Sequence, residues 1–332
     1  MNENAMPKTK LEAINYFSDA ARCHDFMVEM RWGGKPVCAH CKSSNIGKLV
    51  VSEKTVKRIV KGEEISKTLT RRVWNCKNCK KQFTVKIGTI FEDSAVGLEK
   101  WLPCVWMVVN AKNGVSSCEL GRDLGVTQRT AWFMSHRVRT ALHNGNFEKF
   151  SGGVEADETF IGQKARNMHK DKRALKVKGT GGVSMTPVMG LLERSTRKNA
   201  SRVILKVLQS RRRVELHRHI KNHVAKGTNL LTDAFPSYNG LENDYVHEFV
   251  DHAVSYAKGH VHTNGLENFW SLLKRTLKGT HVHCAPFHLF RYLDDQAYRF
   301  NERLLDDAGR FSNAMKGIIG RRLTYAQLTG RE

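Results

Sequence analysis

Two short cysteine pairs, Cys38-Ala-His-Cys41 and Cys76-Lys-Asn-Cys79, constrain this chain more than anything else in it. A CxxC turn sets two thiolates side by side, and two such knuckles make a closed tetrahedral site for Zn2+. If both pairs serve one ion, residues 42–75 must leave the first knuckle and return to the second. Lys48–Val60 and Leu69–Trp74 alternate apolar and polar residues as ribbon strands do, and Lys61-Gly62-Glu63-Glu64 has the composition of a turn between them. Lys80 and Lys81 form a basic tip leading to Phe83, an aromatic placed to close the ribbon. The competing reading is two unrelated redox pairs. His40, just before Cys41, is expected to stand outside the ligand set.

The other cysteines (Cys23, Cys104, Cys118, Cys284) are scattered, so the pattern is not a disulfide framework and suits a reducing compartment. A chain of 332 residues is long enough for two or three domains. Its 55 Lys and Arg against 32 Asp and Glu leave a net charge of +23, which points to a polyanionic partner, nucleic acid ahead of membrane. The sequence shows no signal peptide, no apolar run of transmembrane length and no lipidation motif. The expectation is a cytoplasmic protein with no membrane partner.

Ahead of the cysteines, Lys10–Met30 is predicted as a helix with Leu11, Ile14, Phe17, Ala20 and Ala21 on one face. After Gly97, the spacing of Trp101, Leu102, Val105, Trp106 and Val109 predicts a buried helix. Ser116 with Glu119 has the form of a capping box, Leu120 and Leu124 lie four apart, Gly125 breaks the helix, and Thr127 begins another. This is the pattern of a helix-turn-helix. Its second helix, about Thr127–Leu142, would turn Ala131, Met134 and Val138 inward. Thr127, Gln128, Arg129 and Arg137 would face out, toward base edges or phosphates. A plain helical hairpin is the alternative, and the charge balance favours DNA. Residues 144–153, with Gly145, Gly152 and Gly153, read as a domain boundary.

The next stretch, Val154–Gly162 (VEADETFIG), reads as a strand with Asp157 in its middle. A carboxylate on an otherwise apolar strand needs a cation to offset its burial. Lys164–Lys178 is strongly basic and runs into Gly179-Thr180-Gly181-Gly182. Without the Lys-Ser ending of a P-loop, it reads as a mobile hairpin or loop able to touch phosphates. Pro187–Leu192, Val203–Val207 and Val246–Val250 read as strands and Val214–Val224 as a helix. Asn229–Phe235 is another short buried strand; it presents Asp233 near its end and is stopped by Pro236. A helix then runs from Asn264, the expected N-cap. Leu266, Phe269, Trp270, Leu273 and Leu277 form its apolar stripe, with Glu267, Ser271, Lys274 and Lys278 beside it. At about 100° per residue, Glu267 and Lys274 lie within ~20° around the axis. Alone, Glu267 is an ordinary first-turn acid. Phe287–Arg303 reads as a packing helix, and residues 306–332 as a basic tail.

Asp157, Asp233 and Glu267 stand on two strands and a following helix. Three converging carboxylates repel one another and need cations, and oxygen donors select Mg2+ or Mn2+. Two such ions suit in-line phosphodiester chemistry.

On VEADETFIG (154–162), LLTDAFPSY (230–238) and HTNGLENFWSLLKR (262–275), followed by Gly279-Thr280-His281 and preceded by the paired CxxC, the chain resembles the DDE transposases of bacterial insertion sequences that carry an N-terminal zinc ribbon. The resemblance runs from Cys38 to about Arg303. It implies a multidomain chain: a helix plus zinc ribbon over 1–93, a helix-turn-helix over 94–146, and an α/β RNase H-like catalytic domain with a mixed sheet over 150–305, ahead of the 306–332 tail. By position it implies that Asp157, Asp233 and Glu267 are the catalytic acids holding two Mg2+ or Mn2+ ions. Lys274, with Arg275 beside it, would hold DNA near the cut. Relatives differ at the third acid and some place an asparagine among the ligands, which leaves Asn264 and Asn268 as alternatives to Glu267. The implied reaction has two steps. Water attacks the phosphodiester at the element's end and frees a 3′-hydroxyl, which then attacks target DNA. The implied partners are double-stranded DNA and further copies of the chain on that DNA. The competing readings are a related RNase H-like nuclease, and a transposase-derived DNA-binding regulator with a silent site.

Overall fold

The computed structural model describes residues 6–60, 63–143, 148–163, 167–176, 185–197, 199–250 and 262–331. Lys61-Gly62, Asn144–Asn146, Lys164, Arg166 and Lys178–Gly182, all singled out above, lie outside them. The chain divides into two compact units, Met1–Trp106 with Ile318–Glu332, and Met107–Gly317.

In the first unit the single helix expected near the N-terminus is two, α1 (Lys10–Tyr16) and α2 (Ala20–Trp32). Asp19 accepts the Ala21 N–H at 2.8 Å and starts α2 afresh. The break ends the common face, so Leu11 and Ile14 are 69% and 41% exposed while Phe17 is buried. β1 (Val50–Val60) and β2 (Glu63–Asn75) form one long antiparallel hairpin, from Val50 opposite Val73 to Val60 opposite Glu63. β3 (Gln82–Phe83) pairs with its base, Trp74 opposite Phe83. Phe83 stacks on Trp74 at 5.6 Å, Trp32 of α2 meets both edge-on, and His24 stacks on Trp74 at 5.1 Å. This aromatic group packs α2 against the ribbon. α3 (Leu98–Asn110) carries the expected apolar stripe, with Trp101, Leu102, Val105, Trp106 and Val109 all buried. The division between the units falls within it.

The second unit continues with α4 (Ser117–Asp123), α5 (Gln128–Leu142), β4 (Val154–Ile161), α6 (Lys170–Lys176), β5 (Thr186–Glu193), β6 (Arg202–Val207) and α7 (Arg213–His223). Then come β7 (Asn229–Asp233), β8 (Val246–Val250) and α8 (Asn264–Arg275), which runs into a π-helical turn over Thr276–Thr280. α9 (Leu289–Asn301) and α10 (Asp307–Lys316) follow. Part of the basic stretch read as a loop is therefore the helix α6. The residues read as a tail carry α10 and, back in the first unit, α11 (Tyr325–Thr329).

The five-stranded sheet has the order β6-β5-β4-β7-β8. β6, β5 and β4 are antiparallel neighbours; β4, β7 and β8 are parallel. Alternation along β4 serves two cores. Val154 and Ala156 join Leu216, Ile220 and Val224 from the α7 region on one face. On the other, Val188, Leu192 and Val203 meet Leu266, Phe269, Trp270 and Leu273 of α8 and Leu289, Tyr292 and Leu293 of α9. α9 also meets α5: Asp295 accepts from Arg139 Nε at 3.0 Å and from Arg299, all three side chains being buried. Among the described residues no helix is long and apolar enough to cross a membrane.

Candidate functional site

The ribbon's two knuckles bring Cys38, Cys41, Cys76 and Cys79 together. Among the described residues they are the one group of three or more potential metal ligands whose donor atoms all lie within 4.8 Å of each other. The turns are built by the backbone. The Cys41 N–H points at Cys38 Sγ (3.5 Å) and the Cys79 N–H at Cys76 Sγ (3.5 Å). The Cys79 N–H draws the Cys76 thiol down while, against a backbone bond from Lys81, burial and the neighbouring thiols push Cys79 up, so the four sulfurs share protons until a cation takes their place. Cross-pair Sγ separations of 3.6 Å (Cys38–Cys79) and 3.5 Å (Cys41–Cys76) are close to the ~3.8 Å edge of a tetrahedron with Zn–S bonds of ~2.3 Å. Donor type and spacing both fit Zn2+. His40 stays out of the cluster, its Nε2 lying 3.2 Å from the Gln82 carbonyl oxygen.

The acids are placed by the sheet. β4 and β7 run parallel, with Val154 opposite Leu230 and Glu155 opposite Leu231. Asp157 and Asp233 each stand two residues beyond this last pair, and Asp157 lies on the face that α8 covers, where Trp270 meets it. Burial pushes the Asp157 carboxyl up to about 6, and the charges of Asp233 and Glu267 add to that push. The three carboxylates therefore share one electrostatic neighbourhood without closing to the 4.8 Å of the cysteines. An all-carboxylate set of oxygen donors fits a hard divalent cation.

Two N–H groups tie Asp157 in place, one of them from a distant helix. Trp270 of α8 donates its indole N–H to Asp157 Oδ2 at 2.9 Å, and the Glu158 N–H donates to Oδ1 at 2.7 Å. The indole reaches the sheet because β5 has Gly190 opposite Asp157. A Cβ on Gly190 would lie 2.7 Å from the Trp270 ring and 2.8 Å from Leu266. The sequence signal was a tryptophan in an apolar stripe, whose N–H needs an acceptor when buried. On the opposite face, Glu158 accepts from the Tyr238 hydroxyl and lies 4.0 Å from Arg211. Arg211 itself stacks over Phe160 (4.8 Å) and Phe235 (4.6 Å). Burial, followed by the charges of Asp233 and Asp157, pushes Glu158 up to about 7 against the pull of Tyr238.

Glu267 and Asn268 are exposed on the first turns of α8, and Lys274 is half-buried two turns on, with Arg275 exposed. Asn264 is not the cap: it is the first helical residue, and Thr263 before it makes no side-chain capping bond.

α4 and α5 are joined by the tight turn Leu124–Thr127. Ser116 caps α4 by accepting the Glu119 N–H, and Thr127 caps α5 by accepting the Thr130 N–H. Gln128 and Arg129 are exposed at the start of α5, and Gln128 donates to Ser117 Oγ at 2.8 Å across the turn. Arg137 corrects the expectation. It is 3% exposed, with its guanidinium over Phe133 at 4.8 Å, rather than facing out. It lies about 60° from Met134 around the axis, on the flank of the buried stripe.

Residues 149–301 match the ISXO2-like transposase domain family, and residues 18–82 match the transposase zinc-ribbon domain. The chain is similar to the "uncharacterized protein in transposable element ISH50" of Halobacterium salinarum (strain ATCC 700922 / JCM 11081 / NRC-1). The two are 25% identical over 315 residues, covering 92% of this chain and 98% of the relative. No solved structure matches it.

Proposed function

The chain belongs to the zinc-ribbon-bearing DDE transposases of insertion sequences, and from that premise we propose that it cuts the ends of its element and joins them to target DNA at a site formed by Asp157, Asp233 and Glu267. What supports this reading is the transposase-domain match over residues 149–301, together with Asp157 held by the Trp270 and Glu158 N–H groups on a strand that pairs in parallel with the strand ending at Asp233. The mixed sheet with helices on both faces supports an RNase H-like reading of residues 150–305.

In the first step water adds to the phosphorus at the element's end and the bond to the element's 3′-oxygen breaks, leaving a 3′-hydroxyl. In the second, that oxygen adds to a target phosphodiester and the target's own 3′-oxygen leaves, so bonds are exchanged with no covalent protein intermediate. Divalent cations held by the three acids would stabilise charge on attacking and leaving oxygens. The chain's task is to hold the acids in place. The N–H groups of Trp270 and Glu158 fix both oxygens of Asp157 and favour its ionised form. Lys274 and Arg275 supply phosphate contacts along α8, while Thr127, Gln128 and Arg129 present the start of α5 to duplex DNA in a helix-turn-helix. The ribbon, folded around zinc, adds a second DNA-reading module. Two element ends must be held at once, which calls for more than one copy of the chain.

The test uses the purified full chain and a plasmid carrying the gene with its natural flanks. New 3′ ends are mapped with Mg2+ or Mn2+, with those ions left out, and with Asp157→Asn. The expected result is metal-dependent ends at flanking repeats that vanish in the variant. Binding at the flanks with no cleavage under any condition would replace this reading with a silent DNA-binding regulator.

A further inference from the structure

Glu155 has no part in the chemistry above, yet this second residue of β4 is 1% exposed. It lies two residues before Asp157 and on the same face of the sheet. A carboxylate buried so completely must be fully paired. Its Oε1 accepts from Arg194 Nε at 2.7 Å, and its Oε2 accepts from the Leu266 backbone N–H at 2.9 Å. Arg194, just past β5, also donates to the His262 carbonyl at 2.7 Å, and its own N–H donates to the Gly153 carbonyl at 2.8 Å. The acid is thus held from the sheet side by Arg194 and engages α8 through one N–H of its first turn.

That engagement substitutes for a missing local cap. Thr263 offers α8 no side-chain bond, so a helix-start N–H with no acceptor inside the helix is met by a residue 111 positions earlier. The next residue after Leu266 is Glu267. Gly265 completes the arrangement, because a Cβ there would stand 2.7 Å from Glu155 Oε2. Glycine is a poor helix former, and at this position it is what lets the carboxylate approach. The Trp270–Asp157 bond one turn along is a second tie between the same helix and strand.

We propose that Glu155 is a positioning residue that sets α8 along β4 and so places Glu267 relative to Asp157. It acts through the Leu266 N–H, and both of its oxygens are occupied in doing so. This rests on reading Asp157, Asp233 and Glu267 as the cation-holding set.

The experiment titrates the zinc-loaded full chain with Mn2+, following the free-ion EPR signal, and measures end cleavage at low and saturating Mn2+. Gly265→Ala is the informative variant. A merely structural role predicts that the added Cβ, crowding Glu155, costs stability alone and leaves Mn2+ binding unchanged. The positioning role predicts a 10–100-fold weaker Mn2+ affinity (about the loss typical when an outer partner of a metal ligand is disturbed), with cleavage partly recovered at saturating Mn2+. Adding Glu155→Asp to Gly265→Ala shortens the acid, makes room for the Cβ, and is expected to restore part of the affinity. Asp157→Asn is the control for the underlying reading. If it abolishes Mn2+ binding at the acids while Gly265→Ala binds and cleaves as wild type, the positioning role is wrong and the acid set stands. If Asp157→Asn binds Mn2+ as wild type does, the acid set itself is wrong and the positioning role falls with it.

Discussion

The cysteine cluster and the carboxylate cluster stand in opposite relations to their surroundings. In the ribbon, four thiols already within 4.8 Å are the join between knuckles, and beside them stand a small aromatic group and a hairpin with many exposed residues, the buried part of α3 lying elsewhere in the unit. In the mixed sheet, two apolar cores hold the strands from both faces, and Asp157 is a guest whose charge its burial disfavours. An ion in the first place maintains structure. The ion proposed for the second place would relieve a charge that the structure can carry without it.

The sharpest way to break this comparison is to remove zinc. Cys76→Ser, or chelation, is expected to release the ion and unfold the ribbon, since zinc binding there is worth on the order of 10 kcal/mol of folding energy. Hydrogen exchange should rise across residues 38–83 and stay low in β4, β5 and β7; an equal rise in both units would show that they do not differ in this way. Next in size, Asp157→Asn should lower end cleavage at least about a thousandfold, several kcal/mol of transition-state stabilisation. The fold should survive, and with zinc bound and no other divalent ion the variant should melt higher at pH 8. The sign follows from the raised carboxyl: its ordinary value is 3.8 and its folded value about 6, so the native state loses stability as pH rises through that interval. Equal melting of variant and wild type at pH 8 would mean that Asp157 is no burden to the fold.

A smaller effect tests how the helix seats on the strand. Gly190→Ala puts a methyl where the Trp270 ring lies and should cost about 1–3 kcal/mol in urea unfolding, as overpacked cores do. A neutral result would mean that α8 slides freely. The least effect at neutral pH, and one that grows in acid, concerns His136. Burial, then the charges of Arg139, His288, Arg291 and His281, pushes it down to about 2. It lies between Trp132, His288 and Tyr292, with neither ring nitrogen hydrogen-bonded. Its folded value is below its ordinary 6.5, so stability is lost as pH falls below 6.5, the reverse of Asp157. His136→Phe should recover about 2 kcal/mol at pH 5 and almost nothing at pH 8. A wild-type pH profile in the variant would show that this ring is not the acid-sensitive group.

Much of the fold was legible because it is decided within a few residues. The paired CxxC, the strand β1, the apolar stripes of α3 and α8 and the short strands around Asp157 and Asp233 stand where the sequence places them, while β2 starts at Glu63 rather than Leu69 and takes Glu63 and Glu64 from the expected turn. What escaped was decided across distance. Asn264 had the chemistry of a cap, but the helix begins one residue earlier and its N–H is met by Glu155 from another element. Trp270 was read as apolar packing because its acceptor, Asp157, and its clearance, Gly190, lie in distant strands. Arg137 looked outward by composition and is inward by angle. The elements that carry the acids could be read from the sequence, and the contacts that aim them could not.

The first unit is also discontinuous in sequence. Ile90 donates to the Ile318 carbonyl at 3.1 Å, Gly320 donates to the Gly88 carbonyl at 2.8 Å, and Thr89 bridges Ile319. Chains emerge from the ribosome N-terminus first, at about 5–20 residues per second. Residues 88–90 therefore wait roughly ten to fifty seconds for their backbone partners, while the whole of the mixed sheet is made and can fold in between. A translation product stopped before Ile318 would contain every acid of the sheet yet leave the ribbon's unit unclosed.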